Sequence, residues 1–250
     1  MRGVLGAYVQ RLSLFSRNVW LFLFASTFAG FTFFGINRVV ANLYLLRLGY
    51  GPEFVGLVNA SVSLSFALGC LPAAAIGAKW GHRRAMIVGP ALVVVGLVLR
   101  SQAEVVPEVW RSGWLLITSV IAYPGFAMFR VNSLPWVADA TVAAERRHAY
   151  SMQMALEPMA AFLGALAGGA LPGLFAKLLG TSLEAAAPYR HTLLAGALFF
   201  VPVLLLLLRT KDERPIDRPR SEGRSTKGGG APYGLIGVLG LAVVLKMFGR

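Results

Sequence analysis

LPAAAIGAKWGHRR, Leu71 to Arg84, is the stretch whose reading decides the fold. A run of apolar and small residues ends in a tight basic turn, and a second apolar run starts just past Arg84. A turn this short has no room for a domain. It can join two antiparallel helices that cross a membrane, and its cations then belong on the cytoplasmic side, where Lys and Arg accumulate.

The rest of the chain fits that reading. Of its 250 residues, 56% are hydrophobic and only 14% charged, against about a quarter charged in a soluble domain. The charges gather between apolar runs long enough to cross the hydrocarbon core. A net charge of +13 invites a nucleic-acid reading. Most Lys and Arg, however, flank apolar runs instead of forming a basic domain, so the expected partner is a lipid bilayer and no nucleic acid. Cys70 stands alone, which excludes an intramolecular disulfide and a cysteine-rich metal site. His82, His148 and His191 are scattered without ligand spacing, and neither metal nor other cofactor is expected.

Working outward from the turn, Glu53 to Ala78 reads as span 2 and Ala85 to Leu99 as a short span 3. Upstream, span 1 runs from Val19 to Leu48 and ends at Gly49-Tyr50-Gly51-Pro52, a turn signal. Its length exceeds that of a signal-peptide core, and no clear cleavage site follows, so it is expected to span the membrane. Downstream come span 4 (Trp114 to Val137), span 5 (Ala149 to Phe175) and span 6 (Thr192 to Leu208). The predicted fold is therefore an all-α membrane protein. Residues 1–18 form a cytoplasmic amphipathic N-terminus, an interfacial helix or a frayed tail. Residues 19–209 form a six-helix transmembrane bundle, 210–232 a charged cytoplasmic linker rich in Pro, Gly and Ser, and 233–250 a partial seventh span. With the N-terminus inside, the inner segments hold fifteen Lys and Arg and the outer segments five. That bias orients the chain in the cell membrane.

Charged residues within spans are costly and by default face a cavity or a partner. Arg38 lies near mid-depth in span 1. Phe34, Arg38 and Asn42 share one helical face four residues apart, with Asn37 beside it. An aromatic ring, a planar guanidinium and an amide suit an anionic or polar ligand; the alternative is an Arg paired with a carboxylate of a second bundle. Arg130 and Glu157 sit at matching depth in spans 4 and 5, roughly 12 Å from the inner side at 1.5 Å per residue. They are expected to form an ion pair, acting either as a bundle lock or as a substrate site with Glu157 as the proton-coupling group. Tyr123, Asn132 and Gln153 are candidates to add polar groups to the same cavity. Of Asn59, Ser61, Ser63 and Ser65, only some can face it. Gly164, Gly168, Gly169 and Gly173 of span 5 are expected to serve close packing.

These landmarks together resemble the N-terminal half of a transporter of the major facilitator superfamily, in which a central loop separates two six-helix bundles. The turn AAIGAKWGHRR, Ala74 to Arg84, is similar to the family's signature between helices 2 and 3: Gly81 matches the turn glycine, Arg83 and Arg84 the basic cluster, and Lys79 replaces an Arg. Ala74 stands at the first Gly and Ala78 at the Asp that helps latch the two halves in the family. LPWVADATVAAERRHAYS, Leu134 to Ser151, resembles the family's loop between helices 4 and 5. GALAGG, Gly164 to Gly169, resembles the antiporter core, but Ala165 replaces its Pro and antiport is not assigned. Lactose/proton symporters also place a charged pair across helices 4 and 5, with the signs reversed.

The resemblance implies a secondary active transporter of a small solute, working by alternating access between two bundles. It also implies a truncated or fragmentary protein, whose missing C-terminal six-helix bundle belongs to the same full-length chain. A non-transporting receptor or assembly factor on the same fold is the alternative. An intramembrane enzyme lacks support, because no nucleophile and base fall together at membrane depth.

Overall fold

The computed structural model describes residues 15–211. The expected partial seventh span and almost all of the linker and of the amphipathic N-terminus lie outside them.

Six helical crossings make up the described chain. The first is built of three segments, α1 (Arg17–Ala29), a π-helical segment (Gly30–Asn37) and α2 (Arg38–Arg47). The others are α3 (Pro52–Trp80), α4 (His82–Ser101), α5 (Glu108–Ala140), α6 (Ala143–Leu179) and α7 (Ala187–Leu208), with a short 3-10 turn at Ala103–Val105. Local chemistry sets their ends. The Ser16 side chain accepts from the Val19 N–H and caps α1. Pro52 opens α3, where its missing N–H costs nothing. Gly81 alone separates α3 from α4; its φ of +92° suits a residue without Cβ. Gly180, in the left-handed region, closes α6 by donating to the Ala176 and Lys177 carbonyls.

Most helices outrun their apolar cores. Span 3, read as Ala85 to Leu99, extends to His82 and Ser101, and span 4 begins at Glu108 instead of Trp114. Hydropathy marks only the part immersed in hydrocarbon. The backbone stays helical past that point, because leaving the helix near lipid would strand its polar groups.

Packing follows an exchange between the two halves. The first crossing packs on α6 and α7, while α5 packs on α3 and α4, and α4 meets α7. The first helix of each three-helix half thus docks on the second and third helices of the other. With three crossings per half, the second half starts on the opposite side of the membrane, the arrangement of an inverted repeat.

Small residues permit the approach. A Cβ on Gly164 would sit 1.9 Å from the Phe31 carbonyl oxygen, so α6 and the π segment meet backbone to backbone. A second close approach of this kind joins α4 to α5, where a Cβ on Gly89 would fall 2.4 Å from the Gly125 oxygen. Gly168 belongs to the same seam, 3.1 Å from the Ile36 Cα by the same measure. Gly169 and Gly173 depart from the packing expectation, since nothing lies within 4 Å of a Cβ at either. The helical period turns them away from the seam. Between the halves, Phe33 stacks on Phe126 with centroids 4.1 Å apart.

Candidate functional site

The π segment shapes the site. Hydrogen bonds five residues apart widen the first crossing there, a feature common at functional positions. Phe33, Phe34 and Asn37 come from it, and Arg38, Ala41 and Asn42 from the turns that follow. With Val58, Asn59, Val62 and Ser63 of α3, Arg100 of α4 and Tyr123 of α5, they line a cavity of about 380 Å³, within the size range of small-molecule sites. The stripe Phe34, Arg38 and Asn42 therefore does reach one cavity, joined by Asn37. Asn42 accepts from the Asn59 side-chain amide at 3.2 Å, which ties the first crossing to α3. Asn37 is 3% exposed, and its Oδ1 has no hydrogen-bond partner.

Arg100 is the lining residue that the sequence reading misses. It stands just past the apolar run ending at Leu99, where the charge count places it among the five cations of the outer segments. α4 continues to Ser101, so Arg100 belongs to its last turn and its side chain enters the cavity, 4% exposed with Nε unpartnered. A longer allowance for helix beyond the apolar run is the one signal that could have placed Arg100 in the membrane.

Arg130 and Glu157 meet as their matched depths predict, Nη1 to Oε2 at 2.7 Å. Glu157 is the more enclosed, and a Cβ on Gly30 would lie 2.5 Å from its carbonyl oxygen. The pair thus packs where the first crossing lacks a side chain. Neither residue lines the cavity of Arg38, so the two constellations are separate. Of the expected additional polar groups, Tyr123 lines the cavity. Asn132 does not: it donates to the Ala73 and Met128 carbonyls at 3.0 and 2.9 Å and meets His82 Nδ1 at 2.8 Å. Gln153 donates to the Ser26 hydroxyl at 3.4 Å instead. Asn59 and Ser63 face the cavity, Ser65 bonds to the Val120 carbonyl, and Ser61 to Leu57 of its own helix.

The basic turn occupies the end of the bundle that also holds the start of α1. Lys79, Gly81, Arg83 and Arg84 border a second hollow together with Trp136 and Asp139 at the end of α5. Asp139 supplies a carboxylate to this hollow, whereas Ala78, in the last turn of α3, does not. Arg83 donates to the Thr210 hydroxyl and to the Leu208 carbonyl, each at 3.2 Å. It thereby satisfies a free carbonyl at the C-terminus of α7 and complements the negative end of that helix. At the other end, Arg47 pairs with Glu184 and donates to the Tyr189 hydroxyl, and Arg190 faces Glu104 at 3.7 Å.

Comparison with curated proteins gives no match. A family model described as Major Facilitator Superfamily matches residues 18–248. The match begins at the start of α1 and runs past the end of α7, taking in both of the three-helix halves that exchange partners here; the chain belongs to the Major Facilitator Superfamily, a family of multi-pass membrane transporters.

Proposed function

We propose that this protein is a secondary active transporter that carries a small polar solute across the cell membrane by alternating access, with Phe34, Asn37, Arg38 and Asn42 at the solute site. The observation that carries the reading is the cavity itself, about 380 Å³ and lined by amides, hydroxyls and two guanidinium groups between apolar helices. Polar groups at membrane depth are expensive unless they serve a pathway or a partner. The Lys and Arg bias supports a cytoplasmic Gly81 turn and N-terminus, which puts the cavity in the outer half of the bundle. Rocking requires a second six-helix bundle, assigned in this reading to the same full-length chain.

The Arg130–Glu157 pair supports a role in holding α5 to α6. Coupling of transport to protons through Glu157 requires that this pair open during the cycle. Glu157→Gln tests it, and loss of pH-gradient-driven uptake with solute exchange retained is the expected signature of coupling.

The cavity reading is tested with the full-length protein in proteoliposomes. Ser63→Trp fills the cavity from α3, where Ser63 bonds only within its own helix. Transport is expected to cease while the purified variant keeps its thermal stability. Unimpaired transport by Ser63→Trp removes the cavity from the pathway, and unimpaired transport by Arg38→Ala removes Arg38 from the solute site. Solute binding without movement across the bilayer selects the receptor function instead.

A further inference from the structure

Resting on the cavity as the solute site, we propose that the solute is a small organic anion that also carries a hydroxyl, its charged group held by Arg38 and Arg100 and its hydroxyl by Asn37. The cavity holds two guanidinium groups and no carboxylate among its described lining residues. The ion-paired carboxylates of the described residues lie outside its lining: Glu104 faces Arg190 at 3.7 Å with its Oε1 unpartnered, Glu108 pairs with Arg111, Glu157 with Arg130, and Glu184 with Arg47. Among the described residues, neither Arg38 nor Arg100 has an ion-pair partner. Arg100 is 4% exposed with an unsatisfied Nε, a state that is expensive in low dielectric. Two like charges sharing one cavity add repulsion. A carboxylate or phosphate entering between them removes both penalties and matches the planar donor fork of Arg.

Charge alone does not satisfy the site. Asn37 is 3% exposed, lines the same cavity and has an orphan Oδ1. A buried unsatisfied amide oxygen needs a donor, which a bare carboxylate cannot supply. A hydroxyl on the solute can. Phe34 and Tyr123 offer aromatic walls for the carbon skeleton between the two polar groups. The cavity volume, about 380 Å³, exceeds that of one bare ion and suits an organic acid of a few carbons.

The test measures thermal stabilisation of the full-length purified protein, since a ligand that binds the folded state raises the midpoint. The probes are L-lactate and L-malate, their counterparts without the hydroxyl (propionate and succinate), glycerol as a neutral hydroxylated control, and inorganic phosphate. The hydroxy acids are expected to stabilise, their counterparts to bind about five- to tenfold more weakly for the lost hydrogen bond, and glycerol to have no effect. Arg38→Gln and Arg100→Gln should each abolish the response, and Asn37→Ala should make malate and succinate equivalent. Arg38 is exposed, so Arg38→Gln carries the charge arm if Arg100→Gln does not fold.

Stabilisation by hydroxy acids that survives both Arg substitutions overturns the proposal. So does equal binding of malate and succinate by the unmodified protein. Phosphate stabilising as strongly as malate, with Asn37→Ala inert, reduces the site to a simple anion site and overturns the hydroxyl assignment. If no anionic probe stabilises but a neutral solute is transported and Ser63→Trp blocks it, this inference falls and the cavity reading stands. If Ser63→Trp leaves transport intact, the cavity reading falls as well.

Discussion

Two pairs of charged groups sit inside this bundle and are built on opposite principles. Arg130 and Glu157 form a closed ion pair at 2.7 Å between adjacent helices, pressed against a glycine of the first crossing. Arg38 and Arg100 are two cations on one cavity with nothing of opposite charge among the described residues that line it. The first pair satisfies itself and joins two helices. The second finds no counter-charge among the described residues that line its cavity. On the reading proposed above, the difference separates a charge retained for assembly from a charge retained for a solute, and it lies in the partners of the guanidinium groups rather than in their depth.

The largest expected effect concerns the seam that supports the closed pair. Gly164→Ala puts a methyl group against the Phe31 carbonyl and should destabilise the bundle by about 3 kcal/mol or more, as overpacking against backbone does. Gly169→Ala, where space is open, should stay within about 0.5 kcal/mol. Reversible denaturation in detergent compares the two; equal effects would mean that the close approach is not what the glycine serves. Next, Glu157→Ala should cost about 2–3 kcal/mol, because it leaves Arg130 without its counter-charge, and adding Arg130→Met should recover much of that loss. A double variant as unstable as the sum of the singles breaks the pairing argument. The contrast is sharpest at Arg100. Arg100→Leu should change stability by no more than about 1 kcal/mol, with a gain as the expected sign, because it removes an uncompensated buried charge. The same variant should lose solute-dependent stabilisation. If Arg100→Leu is as damaging as Glu157→Ala, Arg100 has a structural role and the comparison fails. The smallest effect is expected at the basic turn: Arg83→Ala should cost about 0.5–1 kcal/mol through loss of its contacts to the end of α7, read as a small drop in thermal midpoint that Arg83→Lys partly restores.

Much of this was legible along the chain. Apolar runs of membrane length announced six crossings, and the Gly81 turn announced a helical hairpin, because both depend on a residue and its near neighbours. The Phe34, Arg38 and Asn42 stripe followed from the helical period. The Arg130–Glu157 pair followed from depth arithmetic across one connection, since antiparallel neighbours joined by a short loop must match depth for depth. Arg100 was not legible, because an apolar run ends where the hydrocarbon ends while the helix continues. Asn132 and Gln153 share membrane depth with the candidates, but Asn132 donates across to Ala73 of α3 and Gln153 to Ser26 of α1, helices that no spacing rule makes their neighbours.

By itself, then, the sequence determined how many times the described residues cross, that Arg38, Arg130 and Glu157 lie within the crossings, and that Phe34, Arg38 and Asn42 share a face, all consequences of one-dimensional period and length. Tertiary structure alone decided that the first crossing docks on α6 and α7 while α5 docks on α3 and α4. That exchange brings Arg38, Asn37, Arg100 and Tyr123 from three separate helices to one cavity. It also leaves Gly164 in contact and Gly169 in open space. The physical reason is that a helix specifies its own faces, whereas the identity of the helix opposite each face is set by backbone approach and packing across the whole bundle.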